Sequence, residues 1–295
     1  MNPQRLTVNC SMLFTDLPLL RRPQAARDAG FDAVEFWWPF DDAVPADREV
    51  DEFVSAIDDA GVRLTHLNLA AGDLAAGERG LLSHPPRTRE FVESIDVAVG
   101  IGARLRTVGF NALYGNRMAG LDVAEQDSLA VDNLAVAARA AATIGAQILL
   151  EPLSAIPDYP LRLADDALAV SDAVRREHRI DNVALLADLY HLSTNGDDLD
   201  HVLSRHTGRI GHVQIADAPD RGEPGTGTMD FARYLDTLDE AGYPGWISRV
   251  STDTGRPVRV ARGVHQRRTL KQAAFISPHH GGAPSWQPSR SSDSA

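Results

Sequence analysis

The chain has 295 residues, 43% of them hydrophobic and 24% charged, which is ordinary for a soluble globular protein and sufficient for one α/β barrel of about 250 residues. The net charge of −12 argues against nucleic acid or an anionic membrane as a partner, and the single cysteine, Cys10, excludes a disulfide framework and a cysteine-based zinc site. No apolar run reaches the roughly 18 residues of a transmembrane helix, and the N-terminus lacks the basic and apolar regions of a signal peptide, so we expect a cytoplasmic protein.

Short apolar or alternating segments predict eight strands, and longer segments with apolar residues three or four positions apart predict seven helices. The predicted strands cover residues 6–13, 32–38, 62–69, 105–108, 147–152, 183–188, 211–217 and 245–248. The predicted helices cover residues 16–29, 47–60, 87–101, 124–144, 162–178, 198–206 and 230–241. Tyr190 and His191 are expected on the loop that follows the sixth strand.

This alternation predicts a (β/α)8 TIM barrel. The strands recur about every 30 residues and the interior ones are apolar on both faces, which indicates a parallel sheet covered by helices. An open doubly wound sheet is the alternative fold. The chain has no G-x-G-x-x-G motif after its first strand. This argues against dinucleotide binding, which is the commonest function of such a sheet.

Three consecutive predicted strands end on side chains with oxygen donors. Glu151, Asp188 and Gln214 each follow an apolar run, at the strand ends where barrel enzymes place their catalytic groups. Polar residues often terminate strands for structural reasons alone, but three consecutive examples favour a functional site. Converging oxygen donors predict a site for a hard divalent cation, Mg²⁺ or Mn²⁺.

Other polar residues near the strand ends are open to more than one interpretation. His66 and His191 are predicted to face the mouth of the barrel, where they could contact substrate. His212 lies two residues before Gln214 and is therefore expected one layer deeper, as a buried, hydrogen-bonded histidine. Glu35 ends the second strand. It either binds the metal, orients a metal ligand, or makes a buried structural hydrogen bond.

A loop rich in glycine and proline follows the seventh strand. It carries Arg221 and Glu223 and is predicted to close over the mouth. Together with motifs elsewhere in the chain, this loop resembles the hydroxypyruvate isomerase family of the xylose isomerase-like barrel superfamily, and the resemblance covers residues 6 to about 247. The motifs that carry the resemblance are SMLF at 11–14, GFDAVEF at 30–36, AGD at 71–73, AGERG at 76–80, EP at 151–152, DLYH at 188–191 and the block from 211 to 227 that contains GHVQIAD and EPGTG.

The resemblance implies conversion of hydroxypyruvate to 2-hydroxy-3-oxopropanoate (tartronate semialdehyde) through an enediolate, within glyoxylate metabolism. It implies a divalent metal held by Glu151, Asp188 and Gln214, a catalytic carboxylate, which we assign to Glu151, and substrate contacts from His66, His191 and Arg221. Arg221 could clamp the substrate carboxylate bidentately. The partner is then a small 2-oxo acid, and a homo-oligomer is left open.

Two alternatives remain. The first is a 2-oxo-tetronate isomerase, or a related isomerase or epimerase for a longer 2-oxo acid or ketose, which differs in pocket depth around Trp37, Trp38 and Asn111. The second is a catalytically impaired barrel that still binds a sugar acid.

The end of the eighth strand departs from the family pattern. The family carries a Trp-Val-Gly-Cys-Glu-Tyr type of sequence there, whose Glu is the fourth metal ligand and a catalytic carboxylate, whereas Val250 occupies that position here. Residues 1–248 carry 21 Arg, no Lys and 39 acidic residues, while residues 249–295 carry seven Arg, one Lys and only two acidic residues. We therefore expect a barrel over 1–250, an incomplete eighth βα unit without its helix at 255–276, and an irregular or disordered tail over 251–295.

We hypothesise that a frameshift near residue 249 produced this tail. Arg249-Val250-Ser251-Thr252 can be encoded by CGA-GTA-TCG-ACC, and reading one base later gives Glu-Tyr-Arg-Pro, which restores the Glu-Tyr of the family. The other interpretation is a natural tail. Resequencing the gene tests the hypothesis: we expect the shifted frame to open with Glu-Tyr and to continue without a stop. A confirmed frame whose shifted reading lacks the Glu or stops early would refute the hypothesis.

Overall fold

A computed structural model of the chain describes residues 5–252. Its strands are β1 Arg5–Asn9, β2 Ala33–Phe36, β3 Arg63–Asn68, β4 Gly109–Asn111, β5 Gln147–Leu150, β6 Val183–Asp188, β7 Ile210–Ile215 and β8 Trp246–Arg249. Its α-helices are α1 Arg22–Asp28, α2 Asp47–Ala60, α3 Thr88–Leu105, α4 Val123–Ala142, α5 Ala164–His178, α6 Leu189–Thr194, α7 Leu199–Arg205 and α8 Phe231–Glu240. Within this range no helix has the length and apolarity needed to cross a bilayer.

The eight strands form a closed parallel barrel in the order β1 to β8, which confirms the predicted TIM barrel. The ring closes where β8 pairs with β1, with Thr7 opposite Ser248. On its other side β8 pairs with β7, with Gln214 opposite Ser248. Because all strands run in the same direction, their carboxyl ends meet at one face of the barrel.

The main core lies between the strands and the surrounding helices, as α2 illustrates. Phe53, Val54 and Ile57 are buried on one face of α2, at the three- and four-residue spacing that predicts an amphipathic helix. Burial of each such side chain contributes roughly 1.5–3 kcal/mol to stability. The helix ends at Gly61 in a left-handed conformation (φ 64°), which glycine adopts without the strain of a Cβ.

The predicted fourth strand at 105–108 was wrong. Leu105 instead ends α3, because its side chain continues the buried stripe of that helix, and β4 begins at Gly109. A Cβ on Gly109 would lie 2.8 Å from the ring of His66 on the neighbouring strand. Close packing inside the barrel therefore requires glycine at this position.

The segment after β6 is a short helix, α6, and not the predicted loop. Asp188 caps this helix, because its Oδ1 accepts hydrogen bonds from the backbone amides of Tyr190 (2.9 Å) and His191 (3.3 Å). The part of the chain described by the structure therefore holds eight α-helices where seven were predicted. His191 accordingly lies in the first turn of a helix rather than on a loop.

The described chain continues past the end of β8 in an ordered course. The amide of Val250 donates to the carbonyl of Ile215 (3.1 Å), and the amide of Thr252 donates to the carbonyl of Arg221 (2.9 Å). The predicted tail beyond Thr252, and the region where an eighth barrel helix was expected to be missing, lie outside the described residues. The domain boundary at residue 250 stays a prediction.

Candidate active site

A cavity of about 400 Å³ opens at the carboxyl ends of the strands. Its size is typical of a site for a small ligand. Several of its lining residues come from the predicted site, and the others are supplied mainly by the loops that follow the strands. The lining consists of Asn9, Met12, Trp37, Asn68, Leu74, Ala75, Arg79, Leu113, Glu151, Leu153, Ser154, Ile156, His191, Gln214, Arg221 and Val250.

Asp188 lies fully buried at the end of β6 and is held on both of its oxygens. While Oδ1 caps α6, Oδ2 accepts a hydrogen bond from Nη2 of Arg221 at 3.0 Å. Nε2 of His191 lies 3.7 Å from the same Oδ2. The carboxylate of Asp188 therefore faces the predicted substrate contacts in an orientation fixed by the backbone of α6.

Glu151 follows β5 and is nearly as buried, with 6% of its surface exposed. Its Oε2 accepts a hydrogen bond from Nδ2 of Asn111 at 2.6 Å. Burial and the nearby charge of Asp188 raise the pKa of Glu151 above its usual value, although Arg221 and the Asn111 hydrogen bond act in the opposite direction. Two carboxylates with this mutual repulsion are suited to a bound cation, which would offset it.

His191 has a defined tautomer. Its Nδ1 accepts a hydrogen bond from the backbone amide of Ser154 at 3.1 Å and lies 2.7 Å from the Ser154 hydroxyl. Burial lowers the pKa of His191 to about 4, so the ring is neutral near pH 7, with its proton on Nε2. Although Glu151, Asp188 and His191 lie close enough to form a metal-binding group, Nε2 of this tautomer is a donor rather than a free ligand. His191 is thereby suited to contact a substrate oxygen.

Gln214 is oriented by a buried residue of β2. Oε1 of Glu35 accepts hydrogen bonds from Nε2 of Gln214 at 2.8 Å and from Nδ2 of Asn9 at 2.9 Å. Because Oε1 accepts in both contacts, the Gln214 amide must turn its NH₂ towards Glu35, which frees its carbonyl oxygen for the cavity. Glu35 therefore makes the buried hydrogen bonds that were one of its predicted alternatives, and through them it orients Gln214.

Glu151, Asp188 and Gln214 together satisfy the chemical requirements of a hard divalent cation. They offer two carboxylates and an amide oxygen from three consecutive strands, and oxygen donors of this kind suit Mg²⁺ and Mn²⁺. The donor set thus fits the metal that the sequence analysis predicted.

His66 lies deeper than the sequence predicted. Its ring stacks on that of His212 at 3.6 Å, and it is not among the described residues that line the cavity. His212 is fully buried, as predicted, with Nε2 2.6 Å from Oε2 of Glu35 and Nδ1 3.2 Å from the carbonyl of Trp246. The structure therefore brings five of the six predicted site residues to the mouth and leaves His66 in the layer below.

Arg221 reaches the site from the loop after β7. Its guanidinium lies over the ring of Tyr190 at 5.3 Å and donates to Asp188. Its Nε is buried without a hydrogen-bond partner among residues 5–252. The loop is shaped by Asp217, whose two carboxylate oxygens accept from the amides of Gly225 (2.8 Å) and Met229 (3.0 Å). Arg221 is therefore presented by a folded loop and retains one unused donor.

The sequence analysis assigned no function to Asn9 and Arg79, and it named Asn111 only for its effect on pocket depth. Asn9 and Asn111 end β1 and β4, so their position at strand ends was a signal that could have identified them. Arg79 lies on the loop after β3 in the AGERG motif, and its spacing gave no indication that it would line the cavity. Only the course of that loop across the mouth reveals it.

Val250 lines the cavity from the end of β8. The backbone at this position continues the pairing with β7, through the hydrogen bond from the Val250 amide to Ile215. At the position where the resemblance implies a glutamate, the chain therefore presents an aliphatic side chain to the cavity.

Comparisons with known proteins agree with this architecture. The sequence model described as xylose isomerase-like TIM barrel matches residues 23–262, and the chain belongs to this family. A Streptomyces coelicolor protein provisionally named hydroxypyruvate isomerase is 52% identical over 248 residues, which are 83% of this chain and 89% of that protein.

Hydroxypyruvate isomerase of Escherichia coli is 32% identical over 82% of this chain and 91% of its own length. A 2-oxo-tetronate isomerase of Cupriavidus necator is 34% identical over 82% of this chain and 90% of its own length. Among solved structures, a family 2 AP endonuclease from Brucella melitensis superposes with a TM-score of 0.76 at 29% identity, covering 92% of this chain and 99% of that one. The three relatives above that cover most of this chain at 32–52% identity are named as isomerases, which supports isomerase activity for this chain.

The buried His66 predicts loss of stability in acid. Burial, followed by the charges of His212 and Arg63, lowers the pKa of His66 well below 6.5, so the folded state keeps this ring neutral. Below pH 6.5 the unfolded state binds a proton that the folded state does not, and the free energy of unfolding then falls by at most about 1.4 kcal/mol per pH unit. We expect His66→Phe, which keeps a stacked ring, to remove this part of the slope in urea unfolding series down to about pH 5. Identical slopes in both proteins would contradict the prediction.

Proposed function

We propose that this protein is a metal-assisted isomerase that interconverts hydroxypyruvate and 2-hydroxy-3-oxopropanoate. The observation that carries the proposal is the convergence of Glu151, Gln214, His191 and Arg221 at one cavity, with the buried Asp188 directly behind Arg221 and His191. The relatives named as hydroxypyruvate isomerases, at 52% and 32% identity over most of the chain, support the same activity.

Glu151, Asp188 and Gln214 are the residues that would hold the metal, as Mg²⁺ or Mn²⁺. When bound by these residues, the cation would supply Lewis-acid polarisation of the carbonyl and hydroxyl oxygens of an α-hydroxy-carbonyl substrate and would thereby acidify the adjacent C–H bond. The residues around the ligands contribute orientation: Glu35 turns the Gln214 amide, Asn111 holds Glu151, and α6 holds Asp188.

Glu151 is the residue we assign to proton transfer. Conversion of hydroxypyruvate requires removal of a proton from C3 and its return to C2, with a matching transfer of the hydroxyl proton from O3 to O2. A carboxylate with a raised pKa is suited to accept and return a proton near neutral pH. Nε2–H of His191 is available as a donor to a substrate oxygen during this exchange.

Arg221 is the second proposed substrate contact, because its buried Nε faces no partner among the described residues. His66 supports the site from below through its stack on His212, whose ring contacts Glu35. Its role as a direct substrate contact stays a prediction.

A 2-oxo-tetronate isomerase is the second candidate function, favoured by the relative of that name at 34% identity. The cavity of about 400 Å³ leaves room for an acid longer than three carbons. Trp37 lines the cavity, whereas Trp38 packs edge-on against Phe40 at 5.2 Å. Trp37 is therefore the aromatic residue whose replacement would reveal a difference in preferred chain length.

The missing carboxylate at Val250 predicts weak activity in this chain. We expect purified protein to isomerise hydroxypyruvate slowly, and only with Mg²⁺ or Mn²⁺ present. We expect Val250→Glu to raise kcat by roughly 10²–10⁴, because a positioned second carboxylate contributes about that factor to proton transfer. Initial rates of tartronate semialdehyde formation, with and without EDTA, measure both effects.

Val250→Gln is the matched control, since it has nearly the same size but no carboxylate and should stay slow. Full turnover in the unaltered chain, with no gain in the glutamate variant, would refute the assigned role of the eighth strand. Absence of isomerisation by both proteins with either metal would refute the proposed function.

The role of Glu35 is tested by metal affinity. Glu35→Met removes the acceptor that orients Gln214, and we expect Mn²⁺ binding to weaken roughly 10- to 100-fold, as is typical when a partner of a metal ligand is lost. Glu35→Gln retains an acceptor oxygen and should bind Mn²⁺ within a few-fold of the unaltered protein. Free Mn²⁺ is measured by electron paramagnetic resonance during titration, with circular dichroism to confirm folding. Equal affinities in the methionine variant and the unaltered protein would show that Glu35 does not orient the ligand.

A further inference from the structure

Two arginines line the cavity, and their surroundings differ. Arg221 is paired with the carboxylate of Asp188 at 3.0 Å. Arg79, from the loop after β3, has no carboxylate partner within residues 5–252. Its hydrogen bonds run from Nη1 to the backbone carbonyls of Leu74 (2.9 Å) and Glu78 (2.7 Å). The positive charge of Arg79 is thus left without an anion inside a cavity.

The acidic side chains nearest to Arg79 in sequence are engaged elsewhere. Glu78 forms an ion pair with Arg87, the residue before α3, and its Oε2 also accepts from the amide of Asp73. Oδ1 of Asp73 accepts from the amides of Ala75 and Ala76, both at 2.9 Å. Neither carboxylate neutralises the guanidinium, although both stabilise the loop that carries it.

The backbone of Arg79 is held firmly against the loop after β4. Its carbonyl accepts from the amide of Gly115 at 3.0 Å, and the next residue, Gly80, forms an antiparallel bridge with Tyr114. Gly80 has a φ of 111°, and a Cβ there would lie 2.0 Å from the carbonyl oxygen of Leu113. This close approach of two loops requires glycine and fixes the point from which the Arg79 side chain extends.

We propose that Arg79 binds the carboxylate of the substrate and restricts the enzyme to 2-oxo acids. This inference rests on the proposed isomerase function and specifies its substrate class. An anionic substrate entering a cavity that is lined by Glu151, with Asp188 buried close behind it, needs a cation that is not neutralised by the protein. Arg79 meets that requirement, and Nε and Nη2 of its guanidinium make no hydrogen bond within the described chain. Arg221, held by Asp188, is left to contact an oxygen nearer the reacting carbons.

The experiment compares two ligands with the same three-carbon skeleton. Hydroxypyruvate carries the carboxylate, and dihydroxyacetone carries a neutral CH₂OH group in its place. Binding of each is followed in the presence of Mn²⁺ through the tryptophan fluorescence of the protein, to which Trp37 contributes from the cavity wall. This signal reports affinity whether or not turnover occurs. The variants are Arg79→Gln, Arg221→Gln and, as a control on the protein surface, Arg89→Gln, whose side chain is 89% exposed on α3.

We expect Arg79→Gln to weaken hydroxypyruvate binding roughly 10- to 100-fold, the loss associated with a charged hydrogen bond, and to leave dihydroxyacetone within about two-fold. Arg89→Gln should match the unaltered protein for both ligands. An unchanged affinity of Arg79→Gln for hydroxypyruvate would overturn the proposal. An equal loss for both ligands would also overturn it, since it would show that Arg79 supports the loop rather than the carboxylate. A selective loss in Arg221→Gln alone would assign the carboxylate to Arg221.

The outcome can be separated from that of the proposed function. If the protein binds hydroxypyruvate with the predicted dependence on Arg79 but neither it nor Val250→Glu isomerises it, the isomerase assignment fails and the carboxylate site is upheld. If turnover is observed and Arg79→Gln retains the KM for hydroxypyruvate, the isomerase assignment is upheld and the carboxylate site is refuted.

Discussion

The carboxylate of Asp188 connects three parts of the site. One oxygen caps α6 and the other holds Arg221, so that a strand end, a helix and a loop meet at a single fully buried side chain. Burial raises the pKa of Glu151, and the charge of Asp188 raises it further. A buried carboxylate of this kind is stable only when it is well hydrogen-bonded or bound to a cation. Asp188 accepts hydrogen bonds on both oxygens, and it lies where a cation could bind.

A second polar layer lies beneath the cavity and determines how the upper one is oriented. Glu35 accepts hydrogen bonds from Asn9 and Gln214 and contacts His212, on which His66 stacks. These groups lie inside a barrel whose outer surface is packed by apolar helix faces. Buried polar networks of this kind are costly when incomplete, and the contacts that Glu35 makes favour one rotamer each of Asn9, Gln214 and His212. The orientation of the Gln214 amide is the functional consequence.

The end of β8 has both a structural and a chemical role. Thr252 donates to the carbonyl of Arg221, and Arg249 forms an ion pair with Glu223, so this segment supports the loop that presents Arg221. Val250 occupies the cavity wall between these contacts. The segment thus makes interactions that shape the mouth, while its side chain at Val250 is aliphatic where the resemblance implies a carboxylate.

The sequence by itself was sufficient to predict the barrel, because apolar strands and amphipathic helices are local patterns that alternate along the chain. It also predicted that Glu151, Asp188 and Gln214 would meet, since parallel strands bring their carboxyl ends to one face. It could not locate β4, because Leu105 fits both a helical stripe and a short strand. The tautomer of His191, the pairing of Arg221 with Asp188, the depth of His66 and the position of Arg79 were decided only by the tertiary structure. Each depends on contacts between residues distant in sequence, and those contacts are determined by strand register and by the paths of the loops rather than by local composition.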